Sequence, residues 1–155
     1  DYTFRIVEAA IEVNELQLTY MLEKIKGLLG GLSGKAIGAL GVTFKPNTDD
    51  IRDSPAARII EELVAGGAAV KLYDPAGMDN ARGELSGGIT YCSDPYEVAD
   101  GSDALLILTE WNQFRKLDMG RIKKLLKSPK IADLRNVYDP EGMRALGFEY
   151  VSVGR

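Results

Sequence analysis

The sequence predicts an α/β fold: a Rossmann-like three-layer sandwich with a mostly parallel sheet, preceded by a long N-terminal connector helix. Three observations carry that expectation. From residue 35 onward, short apolar runs of strand length alternate with helical stretches, which implies parallel pairing through right-handed crossovers. Glycine or proline marks several of the junctions, as at Gly30-Gly31, Pro55 and Gly66-Gly67. The first 29 residues instead repeat apolar side chains at helical spacing.

In that first segment Phe4, Val7, Ile11, Leu18, Leu22, Ile25 and Leu29 fall on one stripe. Glu8, Glu12, Glu15, Glu23 and Lys24 lie largely off it, while Ile6, Val13 and Tyr20 widen the apolar surface. The helix is expected to stop at Gly30-Gly31. It is long against a typical length of about 11–12 residues. Two readings stand side by side: an amphipathic helix packed on its own domain, or a connector whose first half serves a neighbouring unit or subunit interface. The chain opens at Asp1 in what reads as mid-helix, so a piece of a larger protein is expected. The division is residues 1–30 as the helix leading in and 31–155 as the domain.

Lys35 to Leu40 reads as a buried strand. Ser54 to Ala65 reads as a helix, with Ser54 as N-cap and Pro55 at the first helical position. Strands follow at Ala68 to Tyr73, Asp103 to Leu108, Lys130 to Asp133 and Phe148 to Val153. Helices are expected over Asp118 to Lys127 and Glu141 to Leu146. The Gly-rich stretch from Asp74 to Tyr91 gives no clear assignment.

Composition narrows the function. The 155 residues suit one domain with its own core, and 45% hydrophobic with 27% charged residues is a globular balance. A net charge of -4 argues against a nucleic-acid binder, which presents a basic surface. No histidine is present, which excludes Ser-His, Cys-His and His-metal chemistry within the chain. The single cysteine, Cys92, forbids an intrachain disulfide and fits a reducing, cytoplasmic setting. No apolar run reaches membrane-spanning length, so no membrane partner is expected.

Ligands of such sheets bind beyond the carboxyl ends of the strands, here residues 41–53, 74–75, 109–114 and 133–138. A dinucleotide fold would carry G-x-G-x-x-G after the first strand; this chain has Gly38-Ala39-Leu40-Gly41 and then a long loop to Ser54. The domain is therefore not expected to hold NAD in the usual way. The loop offers instead Phe44-Lys45-Pro46 and Thr48-Asp49-Asp50-Ile51-Arg52-Asp53-Ser54-Pro55. An ammonium, a planar guanidinium and a helix N-terminus are what a pyrophosphate needs. The plainer reading is a solvated loop whose cations pair with its own carboxylates. The aspartates are expected to orient Arg52 or to cap the turn.

Trp111 is expected to anchor its loop to the core in preference to stacking on a base. Its neighbour Glu110 is expected to orient a Lys or Arg. Tyr73 and Tyr138 read as packing residues near the strand ends. Cys92 has no basic neighbour in sequence to activate it and reads as structural.

The run F-K-P-N-T-D-D-x-R-x-S-P resembles the C-terminal domain of the UDP-glucose/GDP-mannose dehydrogenase family. Thr109-Glu110-Trp111 with Phe114 and Leu117-Asp118, and Asp133-x-Arg135-x-x-x-Asp139, resemble the same family in the same order. Glu12-Val13-Asn14 is similar to its long helix, so the resemblance spans essentially the whole chain. Within the family the pattern is most similar to bacterial UDP-glucose 6-dehydrogenases. The resemblance implies oxidation of a nucleotide sugar at C6 in two NAD-dependent steps, with NAD and the catalytic cysteine held on other domains of a homo-oligomer. It implies that Phe44, Lys45 and Arg135 contact the nucleotide sugar and that Arg52 reaches the NAD. It places no catalytic residue in this chain, which alone is expected to be inactive. UDP-N-acetylhexosamine or GDP-mannose remains an alternative substrate, and a non-catalytic flavodoxin-like module a more distant alternative.

Overall fold

The computed structural model describes residues 4–154; the predicted start of the long helix at residues 1–3 lies outside them. Helix α1 (Arg5–Leu29) leads into strand β1 (Ala36–Leu40). Helix α2 (Pro55–Ala65), strand β2 (Ala69–Tyr73), helix α3 (Met78–Glu84) and strand β3 (Ile89–Tyr91) follow. The second half runs α4 (Pro95–Ala99), β4 (Ala104–Ile107), α5 (Met119–Leu125), β5 (Lys130–Asp133), α6 (Pro140–Ala145) and β6 (Glu149–Ser152).

The six strands form one sheet in the order β3-β2-β1-β4-β5-β6, and every pairing is parallel. This is the doubly wound order, with the chain reversing direction across the sheet between β1 and β4. Leu40 pairs with both Tyr73 and Ile107, so the carboxyl ends of the three central strands lie level. Strand β4 is buried at all four residues, as a central strand covered on both faces must be. One core layer joins the sheet to α1, α2 and α3 through Ile25, Ile60 and Ala81. The other joins it to α4, α5 and α6 through Val98, Ile122 and Met143.

Local chemistry sets the helix starts. Ser54 caps α2, accepting from Ala57 N while its hydroxyl donates to Val42 O at 2.7 Å, and Pro55 follows at the first position. Asp94, Asp118 and Asp139 cap α4, α5 and α6 in the same way. At the far end of α1, Gly30 takes the left-handed conformation (φ 70°) that closes a helix.

Three features differ from expectation, the first being α4, which falls in a stretch where no helix was expected. The unassigned stretch before residue 92 contains α3 and the edge strand β3, which takes the sheet from five strands to six. The helix α1 packs on this domain only over its last turns: Leu22, Ile25, Leu28 and Leu29 are buried, whereas Phe4, Ile6, Val7, Ile11 and Val13 are exposed. The reading in which the entire helix packs on its own domain therefore fails for its first half.

Candidate functional site

The glycines that stand where a dinucleotide fingerprint would lie have other tasks. A Cβ on Gly38 would meet Val98 Cγ1 at 2.8 Å and Val98 O at 2.9 Å, so this glycine lets α4 press against β1. Gly41 has φ 94° and packs so closely on Thr109 that a Cβ would lie 2.5 Å from its Cβ. The crevice between β1 and β4, where a doubly wound sheet receives its ligand, is thus occupied from within. Buried Thr109 donates its hydroxyl to Thr43 O at 2.8 Å, and Trp111 Nε1 reaches Thr43 Oγ1 at 3.1 Å.

Asp74 completes this plug. It stands just after β2, 1% exposed. Its Oδ2 accepts from Val42 N, Thr43 N, Thr43 Oγ1 and Trp111 Nε1, and its Oδ1 from Ala76 N and Gly77 N. Six donors satisfy a carboxylate that would otherwise be costly to bury. Trp111 accordingly anchors its loop, as the sequence led us to expect.

Between buried Thr43 and buried Ser54 the loop turns outward at residues 44–50 and 52–53, with Ile51 tucked back into the core. Phe44 N donates to Asp50 O at 3.0 Å, which closes the loop, and Phe44 is 53% exposed. Lys45 is exposed and forms no ion pair among the described residues. Arg52 grips Asp50 with two parallel bonds, Nε to Oδ1 at 2.9 Å and Nη2 to Oδ2 at 2.7 Å. The guanidinium bond and a backbone N–H hold the Asp50 carboxyl at about 2. One aspartate does orient Arg52, as expected. Asp53 next to it has φ 54°, a left-handed conformation uncommon outside glycine and asparagine.

Phe44 and Asp53 divide two hollows. A cleft of about 630 Å³ runs between α1 and this loop; Phe44, Asp53, Arg58 and Arg135 line it, with Asn14 and Gln17 on the α1 side. That volume lies within the range of small-molecule sites. A shallower hollow of about 330 Å³ holds Arg52 and Asp50 on the other side. The structure brings Phe44 and Arg135 into one cleft and sets Arg52 apart from it.

Arg135 enters the cleft from the turn after β5. Asp133, fully buried, accepts from Arg135 N at 3.0 Å, Tyr138 N at 2.9 Å and Tyr150 Oη at 2.7 Å. Those bonds close the turn, in which Asn136 adopts φ 54°. The Tyr138 hydroxyl donates to Phe114 O, and its burial pushes the phenol above its usual range. Tyr73 meets the Phe114 ring edge-on at 6.4 Å, so both tyrosines pack as expected. The Arg135 guanidinium donates through Nε to Glu110 Oε2 and holds that carboxyl below its ordinary value.

Cys92 is 4% exposed, and burial, aided by Glu97, pushes its thiol up. Lys71, which the local sequence did not disclose, opposes that shift without reversing it. Among the described residues no group of three or more metal-ligating side chains is gathered. Sequence reasoning put Asp74 in a ligand-facing segment but did not foresee its buried role, for which four of the six donors come from two other loops. It also missed the pair between Arg58 and Glu15, in which Nη1 donates to Oε1 at 2.7 Å and Nη2 to Oε2 at 2.6 Å. Helical spacing put Glu15 off the apolar stripe but could not show that α2 supplies its partner.

The model of the UDP-glucose/GDP-mannose dehydrogenase family, UDP binding domain, matches residues 38–140. A UDP-glucose 6-dehydrogenase of Rhizobium meliloti is 47% identical over 156 residues, covering 100% of this chain and 36% of the relative. The UDP-glucose 6-dehydrogenase TuaD of Bacillus subtilis is 41% identical over 99% of this chain and 33% of its own length. This chain thus spans about a third of the length of these relatives. Among solved structures, a UDP-glucose dehydrogenase from Pyrobaculum islandicum superposes with a TM-score of 0.74 at 35% identity, over 83% of this chain and 28% of that one. A UDP-D-ManNAc dehydrogenase from Pyrococcus horikoshii reaches 0.82 at 25% identity, over 100% of this chain and 35% of that one.

Proposed function

The chain belongs to the UDP-glucose/GDP-mannose dehydrogenase family as a UDP-binding domain, and on that premise we propose that it serves a UDP-glucose 6-dehydrogenase. The whole enzyme would convert UDP-glucose to UDP-glucuronate in the cytoplasm, as a homo-oligomer. Carrying the C6 alcohol to the acid removes four electrons, so two NAD and one water are consumed for each sugar. NAD supplies the hydride acceptor. This chain contributes no reacting group; it binds and orients, and alone it is inactive.

The observation that carries the reading is the shared cleft of Phe44 and Arg135, with Lys45 beside Phe44 on the same exposed loop. Arg135 and Lys45 meet the anionic part of the nucleotide sugar, and Phe44 lines the wall next to it. A diphosphate favours such cations because N–H bonds to it are charge-assisted. Arg52 fits one end of an NAD phosphate: its side chain is 79% exposed and its hollow is distinct from the cleft. The rest of NAD belongs elsewhere, because the crevice between β1 and β4 is filled by Thr43, Thr109 and Trp111. NAD is held mainly by an N-terminal domain, and residues 1–30 act as the connector from the central domain that carries the catalytic cysteine. UDP-glucose is preferred over UDP-N-acetylhexosamine or GDP-mannose because the relatives with the higher identity act, by name, on UDP-glucose.

The test is a titration of the chain with UDP-glucose, followed by calorimetry or by amide chemical shifts. Lys45→Ala and Arg135→Ala should each weaken binding about tenfold, the scale of one charge-assisted hydrogen bond. Unchanged affinity in both variants would overturn the substrate assignment.

A further inference from the structure

Three arginines with carboxylate partners surround the cleft and its neighbouring hollow, and they are not held alike. Arg52 gives Nε and Nη2 to Asp50, and Arg58 gives Nη1 and Nη2 to Glu15. Each of those carboxylates takes two N–H groups along one edge of the guanidinium, the usual paired geometry. Arg135 gives Glu110 a single bond, through Nε. Its other hydrogen bond is made by its main-chain N–H to Asp133.

We propose that Glu110 is a positioning residue for the ligand's anion: it grips Arg135 by Nε alone and so reserves both terminal amines for a diphosphate. The inference rests on the reading that a nucleotide sugar occupies this cleft. Glu110 is well placed for the task because both its neighbours are fixed. Thr109 is bonded to Thr43 and Trp111 to Thr43 and Asp74, so the carboxylate projects from an anchored stretch of chain. The turn that carries Arg135 is fixed in turn by buried Asp133. The side chain is thereby held at both ends, its main chain by one acid and its Nε by another. Arg115, which donates to Val137 O, adds a second cation near Glu110 and helps keep it ionised.

Charge and position make opposite predictions. Glu110 lies near the expected phosphates, so deleting it removes a repulsion and, by charge alone, tightens anion binding. A positioning role requires the reverse. With UDP as the probe, Glu110→Ala should weaken binding about fivefold, because the freed guanidinium loses its aim but keeps its charge, a loss near the net worth of one ordinary hydrogen bond. Glu110→Gln, which keeps an acceptor oxygen at the same reach, should stay within about twofold of the parent. In an Arg135→Ala background, Glu110→Ala should cause no further loss, as a coupled pair demands. A merely structural role would weaken both backgrounds equally.

Glu110→Ala binding as tightly as the parent, with Arg135→Ala weakened, would overturn the positioning role and leave the cleft assignment standing. A parent chain without UDP-dependent shifts, or an Arg135→Ala variant that binds normally, would instead overturn the nucleotide reading beneath it.

Discussion

Trp111 Nε1 donates to Asp74 Oδ2 at 3.2 Å, and this bond ties the loop after β4 to the end of β2 across the centre of the sheet. In dinucleotide-binding relatives of this topology an acidic residue near that position holds a ribose hydroxyl. Here the carboxylate is buried and saturated by its own chain. The same strand order therefore leaves this carboxylate closed to a ligand, and the cleft and hollow lie farther out, along Phe44, Asp50, Arg52, Asp53 and Arg135.

Trp111→Phe tests how much the plug depends on the indole N–H. An aromatic ring remains, but the pyrrole part of the indole and its N–H to Thr43 and Asp74 are lost, while Asp74 retains five other donors. The expected cost is about 1 kcal/mol, or a fall in Tm of about 2–4 °C for a chain of this size. Thermal unfolding followed by circular dichroism gives the number. An unchanged Tm would mean that the indole bond to Asp74 adds nothing beyond packing.

What the sequence disclosed, and what it hid, follows from range. Helix α2 was legible because its signals are adjacent: Ser54, Pro55, then an apolar stripe ending at Gly66-Gly67. Strand β3 was not, since three residues after Gly87-Gly88 are too few to show a period. Helix α3 buries only Ala81 and so lacks a stripe. At the site, Phe44, Lys45, Arg52 and Arg135 were all visible as residue types, and Glu110 as a carboxylate seeking a cation. That Phe44 and Arg135 share a cleft while Arg52 lies in a separate hollow depends on the fold alone. The buried role of Asp74 was hidden because, Ala76 and Gly77 aside, its partners are Val42, Thr43 and Trp111, remote in sequence.

Stability should be flat between about pH 5.5 and 8, since the chain has no histidine to titrate there. Below that plateau it should fall. Arg135 lowers the Glu110 carboxyl from 4.5, Arg58 lowers Glu15, and Arg52 brings Asp50 from 3.8 to about 2. Each is depressed in the folded chain, so the unfolded chain takes up protons first as the pH drops. Their stabilisation is present above about pH 4.5 and is lost on descent toward pH 2. Glu15 and Asp50 are at the surface, so their share should fade with added salt, whereas that of the more shielded Glu110 should persist. At the other end, burial holds the Cys92 thiol and then the Tyr138 phenol protonated after the unfolded chain has lost those protons, so stability falls again above about pH 9. Urea midpoints measured across pH check both limbs; a decline that begins near pH 6 would contradict the assignment.

Helix α1 should be stable at one end only. It has 25 residues, yet its buried side chains begin at Leu22. Ile6 is 87% exposed and Val13 61%, and the Glu15–Arg58 pair is the earliest ion pair that α1 makes to the rest of the domain among the described residues. A helical segment shorter than about 12–15 residues is marginal in water without tertiary packing. Amide exchange should therefore be fast for residues 5–14 and slow for 22–29, with the gradient steepest near Glu15. Glu15→Gln should move that boundary toward the C-terminal end by removing the charge that Arg58 grips. If residues 5–14 exchange as slowly as 22–29 in the dilute chain, their apolar face is covered in solution. Sedimentation at the same concentration would then show whether a second copy covers it. The exposed stripe and the buried stripe are one continuous pattern in sequence, and only the exchange gradient separates the part this domain stabilises from the part it does not.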